Sequence, residues 1–151
     1  MISQKARYAI RAMQALADHY SANRFVPLQR IATEQNIPAK YLTVILSELS
    51  RASLVATQRG KHGGYRLARP PEDIRYGDLL RLMRGSVALL PCASRFAHES
   101  CGRCVPEQEC RLRALMLRVR DETAAILDGI SLADPIDPGA FATDGGEIEK
   151  A

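Results

Sequence analysis

Along the start of the chain, Ala6, Ala9, Ile10, Met13, Leu16, Ala17 and Tyr20 recur at spacings of three and four, which predicts an amphipathic helix over 4–20. Pro27 opens a second, short helix, LQRIATEQ (28–35), with Leu28, Ile31 and Ala32 turned inward. Asn36-Ile37-Pro38 then breaks it with turn chemistry. A third helix is expected from about Pro38 to Ala52, since proline suits a first helical turn. Leu42, Ile45, Leu46 and Leu49 form its inward stripe, while Lys40, Thr43, Ser47, Ser50 and Arg51 face away. In LVATQRGKHGGYRLA (54–68), Val55 and Thr57, then Tyr65 and Leu67, alternate with polar neighbours around a glycine-rich tip, the pattern of a β-hairpin. YGDLLRLMR (76–84) reads as a further helix stopped by Gly85. A loop over 86–106 and a long helix from about Pro106 to Gly129 follow. The tail 133–151 carries three glycines, two prolines and five acids among few apolar residues, so it is expected to be mobile.

Short helix, tight turn, longer helix and hairpin is the order of a winged helix-turn-helix. The chain is therefore read as mainly α with a small β-hairpin. It divides into a winged helix-turn-helix DNA-binding domain (1–85), a cysteine-rich loop (86–110), a dimerisation helix (106–132) and the tail (133–151). Its 151 residues suit one small domain with an appendage. No stretch approaches the ~20 apolar residues of a membrane-spanning helix. The amphipathic N-terminus lacks the apolar block and cleavage site of a secretory signal, so a cytoplasmic location is expected and membrane association is not.

Charge sharpens the picture. Residues 1–70 hold 11 Lys and Arg against 3 Asp and Glu, whereas residues 71–151 hold 10 against 14. The first part is strongly basic, the footprint of a polyanion partner, here double-stranded DNA. In such a domain the second helix braces the third, whose polar face enters the major groove. Lys40, Tyr41, Thr43 and Ser47 would then point at bases and phosphates, and Val44 would offer an apolar contact to a thymine methyl group. At the hairpin tip, Arg59-Gly60-Lys61-His62-Gly63-Gly64 suits close approach to a polyanion, with Arg59 or Lys61 reaching the minor groove. Lys5, Arg7 and Arg11 are candidate phosphate contacts at the start of the first helix. A basic surface that is merely solvated is the alternative that charge leaves open, and a three-helix core with a basic hairpin can also bind RNA or protein.

All four cysteines fall in one segment, PCASRFAHESCGRCVPEQECRLR, as Cys92, Cys101, Cys104 and Cys110. In a reducing compartment such clustering reads as metal-binding or redox-active before it reads as disulfides. Four thiolates suit an iron–sulfur cluster or zinc, while a thiol redox switch and unliganded cysteines stay open. Cys110 is expected in the first turn of the long helix, where orphan N–H groups favour a thiolate, and Arg95, Arg103 and Arg111 would offset negative charge there. His98 is read as a solvated loop histidine before a ligand. The CGRC pair lies in no βαβ pattern, and there is no catalytic triad or phosphate loop, so no enzyme and no small-molecule substrate is expected.

On the long helix, Leu112, Leu115, Met116, Val119, Thr123, Ile126 and Ile130 form a stripe close to a heptad seam. Pairing with the same helix of a second subunit would bury it and match a pseudo-palindromic DNA site. Packing within one chain is the other way to cover it.

Taken together, KARYAIRAM (5–13), LQRIATEQNIPAKYLTVILSELSRASLV (28–55), RGKHGGYRLA (59–68) and the Cys92 to Cys110 region resemble the bacterial iron–sulfur cluster regulator family of IscR-like winged-helix transcription factors, over about residues 2–132. The resemblance implies a homodimeric regulator of promoter DNA, a repressor by default, with crossed dimerisation helices and an iron–sulfur cluster, [2Fe-2S] ahead of [4Fe-4S]. Pro38, Ala39, Lys40, Tyr41, Thr43 and Val44 match the recognition-helix positions, and Arg59, Lys61, Gly63 and Gly64 match the wing. Cys92 and Cys110 match the outer cluster cysteines and Cys104 the middle one. Many sensing members use three cysteines and a non-cysteine fourth ligand. Here Cys101 is a fourth cysteine, and Arg113, three residues after Cys110, is not a ligand type. All four cysteines as ligands, Cys101 as a resolving thiol, and a ligand from the partner subunit all remain open.

Overall fold

The computed structural model describes residues 2–139. Ser3 caps the first helix, α1 (Gln4–Asp18), by accepting from the Ala6 N–H at 3.2 Å. α1 buries Ala6, Ala9, Ala12, Met13, Ala15 and Leu16. The four alanines keep that face shallow, and α2 (Leu28–Gln35), α3 (Ala39–Arg51) and α4 (Tyr76–Arg84) pack against α1. α1 stops short of the predicted Tyr20, which instead begins a 3-10 turn, Tyr20–Ala22, and is 38% exposed.

Asn36 closes α2 in the left-handed conformation at φ 49°, and the Ile37 N–H returns to the Ala32 carbonyl at 2.9 Å. This is the turn of the helix-turn-helix. α3 then buries Leu42, Ile45, Leu46 and Leu49 completely, as its stripe predicts. Strands β1 (Val55–Gln58) and β2 (Gly64–Leu67) pair antiparallel, with Val55 opposite Leu67 and Gln58 opposite Gly64. Tyr65 and Val26 exchange two backbone hydrogen bonds, of 2.8 and 2.9 Å, which pin the wing to the segment before α2. The approach is close enough that a Cβ on Gly64 (φ +147°) would collide with the Val26 carbonyl, so only glycine fits there.

α4 ends at Gly85, as predicted. The long helix, α5 (Arg111–Gly129), begins later than Pro106. Residues 106–110 instead form a turn, closed by bonds from Glu109 N to Pro106 O (2.9 Å) and Cys110 N to Glu107 O (3.4 Å). Cys110 leaves helical geometry at ψ 102° and serves as the N-cap. Past α5 the chain returns to the body. Ile130 O accepts from Tyr76 N at 3.1 Å, and Leu132 N donates to Ile74 O at 2.9 Å. α5 is tied to α4 by a two-pronged pair in which both Arg81 guanidinium nitrogens meet Asp128 oxygens at 2.7 Å. That pair sits over Gly77, where a Cβ would strike the Asp128 carboxylate. Of the tail, residues 140–151 lie outside the described residues. Among the described residues no helix is long and apolar enough to cross a membrane.

Candidate nucleic-acid interface and cysteine segment

The inward stripe of α3 leaves Lys40, Tyr41, Thr43, Val44 and Ser47 exposed together on the opposite face, with Pro38 exposed and Ala39 half-buried at its start. Val44 is 53% exposed. Tyr41 is steadied by Tyr8 of α1, edge to face at 5.7 Å between ring centres. The Thr43 hydroxyl donates to the Ala39 carbonyl at 2.9 Å. Beside this face stands the wing. A cleft of about 640 Å³ between the two is lined by Ser47, Ser50 and Arg51 of α3 and by Thr57, Arg59, Gly60, Lys61 and Tyr65 of the hairpin. Arg59, Lys61 and His62 are exposed at the tip, whose turn is closed by Gly63 N on Gly60 O at 3.0 Å.

Ion pairing sorts the basic residues. Arg7, Lys40, Arg51, Arg59 and Lys61 are exposed, and among the described residues they make no salt bridge. Lys5, in contrast, holds Glu48 of α3 at 2.6 Å, and the Arg11 guanidinium bonds the Gln35 carbonyl at the end of α2. Both brace the motif from α1. Arg51 was not singled out as a site residue from the pattern. Its place in the last turn of α3, facing away from the core, is the signal that points to it.

The cysteine segment is held against α5 by arginine side chains that bond its backbone. Arg113 Nε donates to the Cys92 carbonyl at 3.0 Å, and Arg120 Nη1 donates to the Ala93 carbonyl at 2.7 Å. The buried Ser94 hydroxyl donates to Ser86 Oγ at 2.9 Å and accepts from the Ala97 N–H at 2.9 Å. Arg113 and Arg120 are seven apart and so share one face of α5, a spacing visible in the sequence once the helix is known. Arg95 pairs with Asp121 at 3.0 Å, while Arg103 and Arg111 are exposed. Glu107 is hydrogen-bonded by Ser100 and by His98, and its carboxyl is held below the usual carboxylate range by these bonds and the Arg113 charge.

The four cysteines are not gathered at one point. Cys101 and Cys104 are joined by a disulfide, with Cα atoms 5.5 Å apart, and are exposed. Cys92 and Cys110 are free and half-buried. Cys110 Sγ accepts from the Arg113 N–H at 3.4 Å. Among the described residues, no group of three or more His, Cys, Asp or Glu side chains is assembled as for a metal ion. The donor chemistry suits a thiolate-ligated cluster or zinc; the arrangement described here commits two of the four sulfurs to each other.

α5 presents the predicted seam outward. Leu112, Leu115 and Ile126 are 57%, 55% and 62% exposed, with Met116 and Val119 half-buried between them. Thr123 and Ile130 are also half-buried.

Residues 2–138 match Rrf2, described as an iron-dependent transcriptional regulator. The chain belongs to the Rrf2 family. An Rrf2-like helix-turn-helix transcriptional regulator of Rhodobacter capsulatus is 37% identical over 143 residues, covering 92% of this chain and 94% of the relative. The solved structure of CymR, the global cysteine regulator of B. subtilis, superposes with a TM-score of 0.71 at 31% identity, covering 87% of this chain and 92% of that one. T. potens IscR superposes at 0.67 and 30% identity, over 89% and 84%. The Rrf2 winged helix-turn-helix is thus the fold, and DNA-binding transcription regulation, not catalysis, is the function class.

Proposed function

We propose that this Rrf2 regulator binds promoter DNA as a homodimer, represses by default, and takes its operator affinity from an iron–sulfur cluster held by Cys92, Cys101, Cys104 and Cys110. In this reading residues 1–85 bind DNA, 86–110 sense and 106–132 dimerise. The reading rests above all on the cysteine segment being hydrogen-bonded onto α5 through Arg113 and Arg120, with α5 in turn locked to the DNA-binding body. The family description as iron-dependent also supports it. Holding a cluster on all four sulfurs requires the Cys101–Cys104 bond to be reduced to two thiols first. When bound, a cluster of this kind supplies one-electron redox chemistry and sensitivity to iron supply.

The route from cysteines to DNA runs through this chain's own contacts. Arg113 and Arg120 transmit the position of residues 92–93 to α5. The Arg81–Asp128 pair carries it to α4, and Gln14 Nε2 donating to Tyr76 Oη at 2.9 Å carries it to α1. Lys5 on Glu48 reaches the recognition helix. A coupling of about 1–3 kcal/mol along such a route changes DNA affinity roughly 5–150-fold.

The Cys101–Cys104 bridge favours a second reading, in which the dithiol–disulfide state of that pair is itself the signal, without a cluster. Anaerobic isolation separates them. The first reading expects brown protein with visible absorption and acid-labile sulfide, and an operator affinity that changes when these are lost. Colourless, sulfide-free protein whose affinity follows the thiol-to-disulfide ratio supports the second. If the all-cysteine-to-serine protein binds like the wild type under every one of these conditions, neither stands.

A further inference from the structure

We propose that α3 selects its operator by reading thymine methyl groups, with Thr43 and Val44 as the specificity-determining residues; this rests on the promoter-binding reading above. The major groove is usually read by side chains that form paired hydrogen bonds: Asn or Gln on adenine, Arg or Lys on guanine, Asp or Glu on cytosine. Of these only Lys40 stands on the exposed face of the first turns of α3, beside Tyr41, Thr43, Val44 and Ser47, so guanine is the one base edge this face takes by a paired bond. The next residue able to pair with a base edge, Glu48, is engaged by Lys5 at 2.6 Å.

Thr43 adds the deciding detail. Its hydroxyl hydrogen is spent inside the helix on the Ala39 carbonyl, at 2.9 Å, so it has no donor left for a base, and its methyl group is available for apolar contact. Val44, beside it, is 53% exposed. Side by side they present an apolar surface on a helix that is otherwise polar outward. The unpaired cations around it, Lys40, Arg51, Arg59 and Lys61, commit the occupant of this face to a polyanion. In the major groove of DNA the apolar feature is the thymine C5-methyl.

The test begins with duplexes enriched from a random pool by the full chain. Thymines in the enriched half-sites are then replaced by deoxyuridine, which removes only the methyl. Binding is expected to weaken about fourfold for each methyl that is read, and about fifteenfold for a symmetric pair. Thr43→Ser, which keeps the hydroxyl and loses the methyl, and Val44→Ala are both expected to move the thymine-to-uridine affinity ratio toward one. Thr43→Val, which keeps methyls without the hydroxyl, is expected to retain the ratio. Both positions are exposed, and unchanged thermal melts check that the variants fold. Equal affinity for the two duplexes overturns the proposal, as does a ratio unmoved in both Thr43→Ser and Val44→Ala. In either case, steeply salt-dependent binding to the enriched site leaves the promoter reading standing. Failure to enrich any site, with binding indifferent to salt, removes both.

Discussion

Cys110 Sγ accepts from the Arg113 N–H, and the residue is therefore a helix cap as well as a proposed cluster ligand. The two roles separate by substitution. Serine is a better cap than cysteine, so Cys110→Ser is expected to leave the thermal midpoint unchanged or slightly raised while abolishing visible absorption and acid-labile sulfide. Cys110→Ala loses the cap as well and is expected to cost about 0.5–1 kcal/mol in chemical denaturation. That a cysteine lay near the start of the long helix was legible from the sequence. That it stands just outside the first turn was not, because Pro106 and Glu107 are themselves good helix-opening residues and only the turn closed on Pro106 O delays the start.

Two helices locked together illustrate the scale of the element. Asp128 of α5 is held below the ordinary carboxylate range by its hydrogen bonds from Arg81 of α4 and by the opposite charge. A lowered folded pKa contributes stability that is fully present above the unfolded value of about 4 and is lost as the pH falls through the folded value. The pair is partly exposed, with Asp128 46% open to solvent, so about 0.5–1 kcal/mol is a fair size for it. Acid titration followed by hydrogen exchange is expected to loosen the α4–α5 contact below about pH 4. Asp128→Asn is expected to lose that share of stability already at neutral pH and, with it, the corresponding acid dependence. Helix identities came readily from periodicity, α2 and α4 to the residue. Their partners did not: Arg81 and Asp128 lie 47 positions apart, and nothing local couples them.

For the whole molecule, the sorting of cations predicts a salt law. Lys61 and Arg59 are unpaired and Lys5 is not, so Lys61→Ala is expected to weaken DNA binding uniformly across sequences. In a dimer it should reduce the slope of log affinity against log salt by about 2. Fluorescence anisotropy at several salt concentrations measures it. The outward seam of α5 predicts assembly. Leu115→Glu is expected to convert dimer to monomer in light scattering, to leave the fold intact, and to lower affinity for a two-half-site operator far more than for a single half-site.

The local pattern was enough to specify the reading head. Periods of three and four, the Asn36 turn and the glycine tip each act over a few residues, and short-range sterics and burial decide them. Tertiary contacts decided everything that depends on residues far apart in the chain. They set Lys5 against Glu48, Arg81 against Asp128, and Arg113 and Arg120 against the backbone of the cysteine segment. A hydrogen bond between separate segments forms only where packing has already brought its partners within about 3 Å, and spacing along a sequence carries no record of that distance.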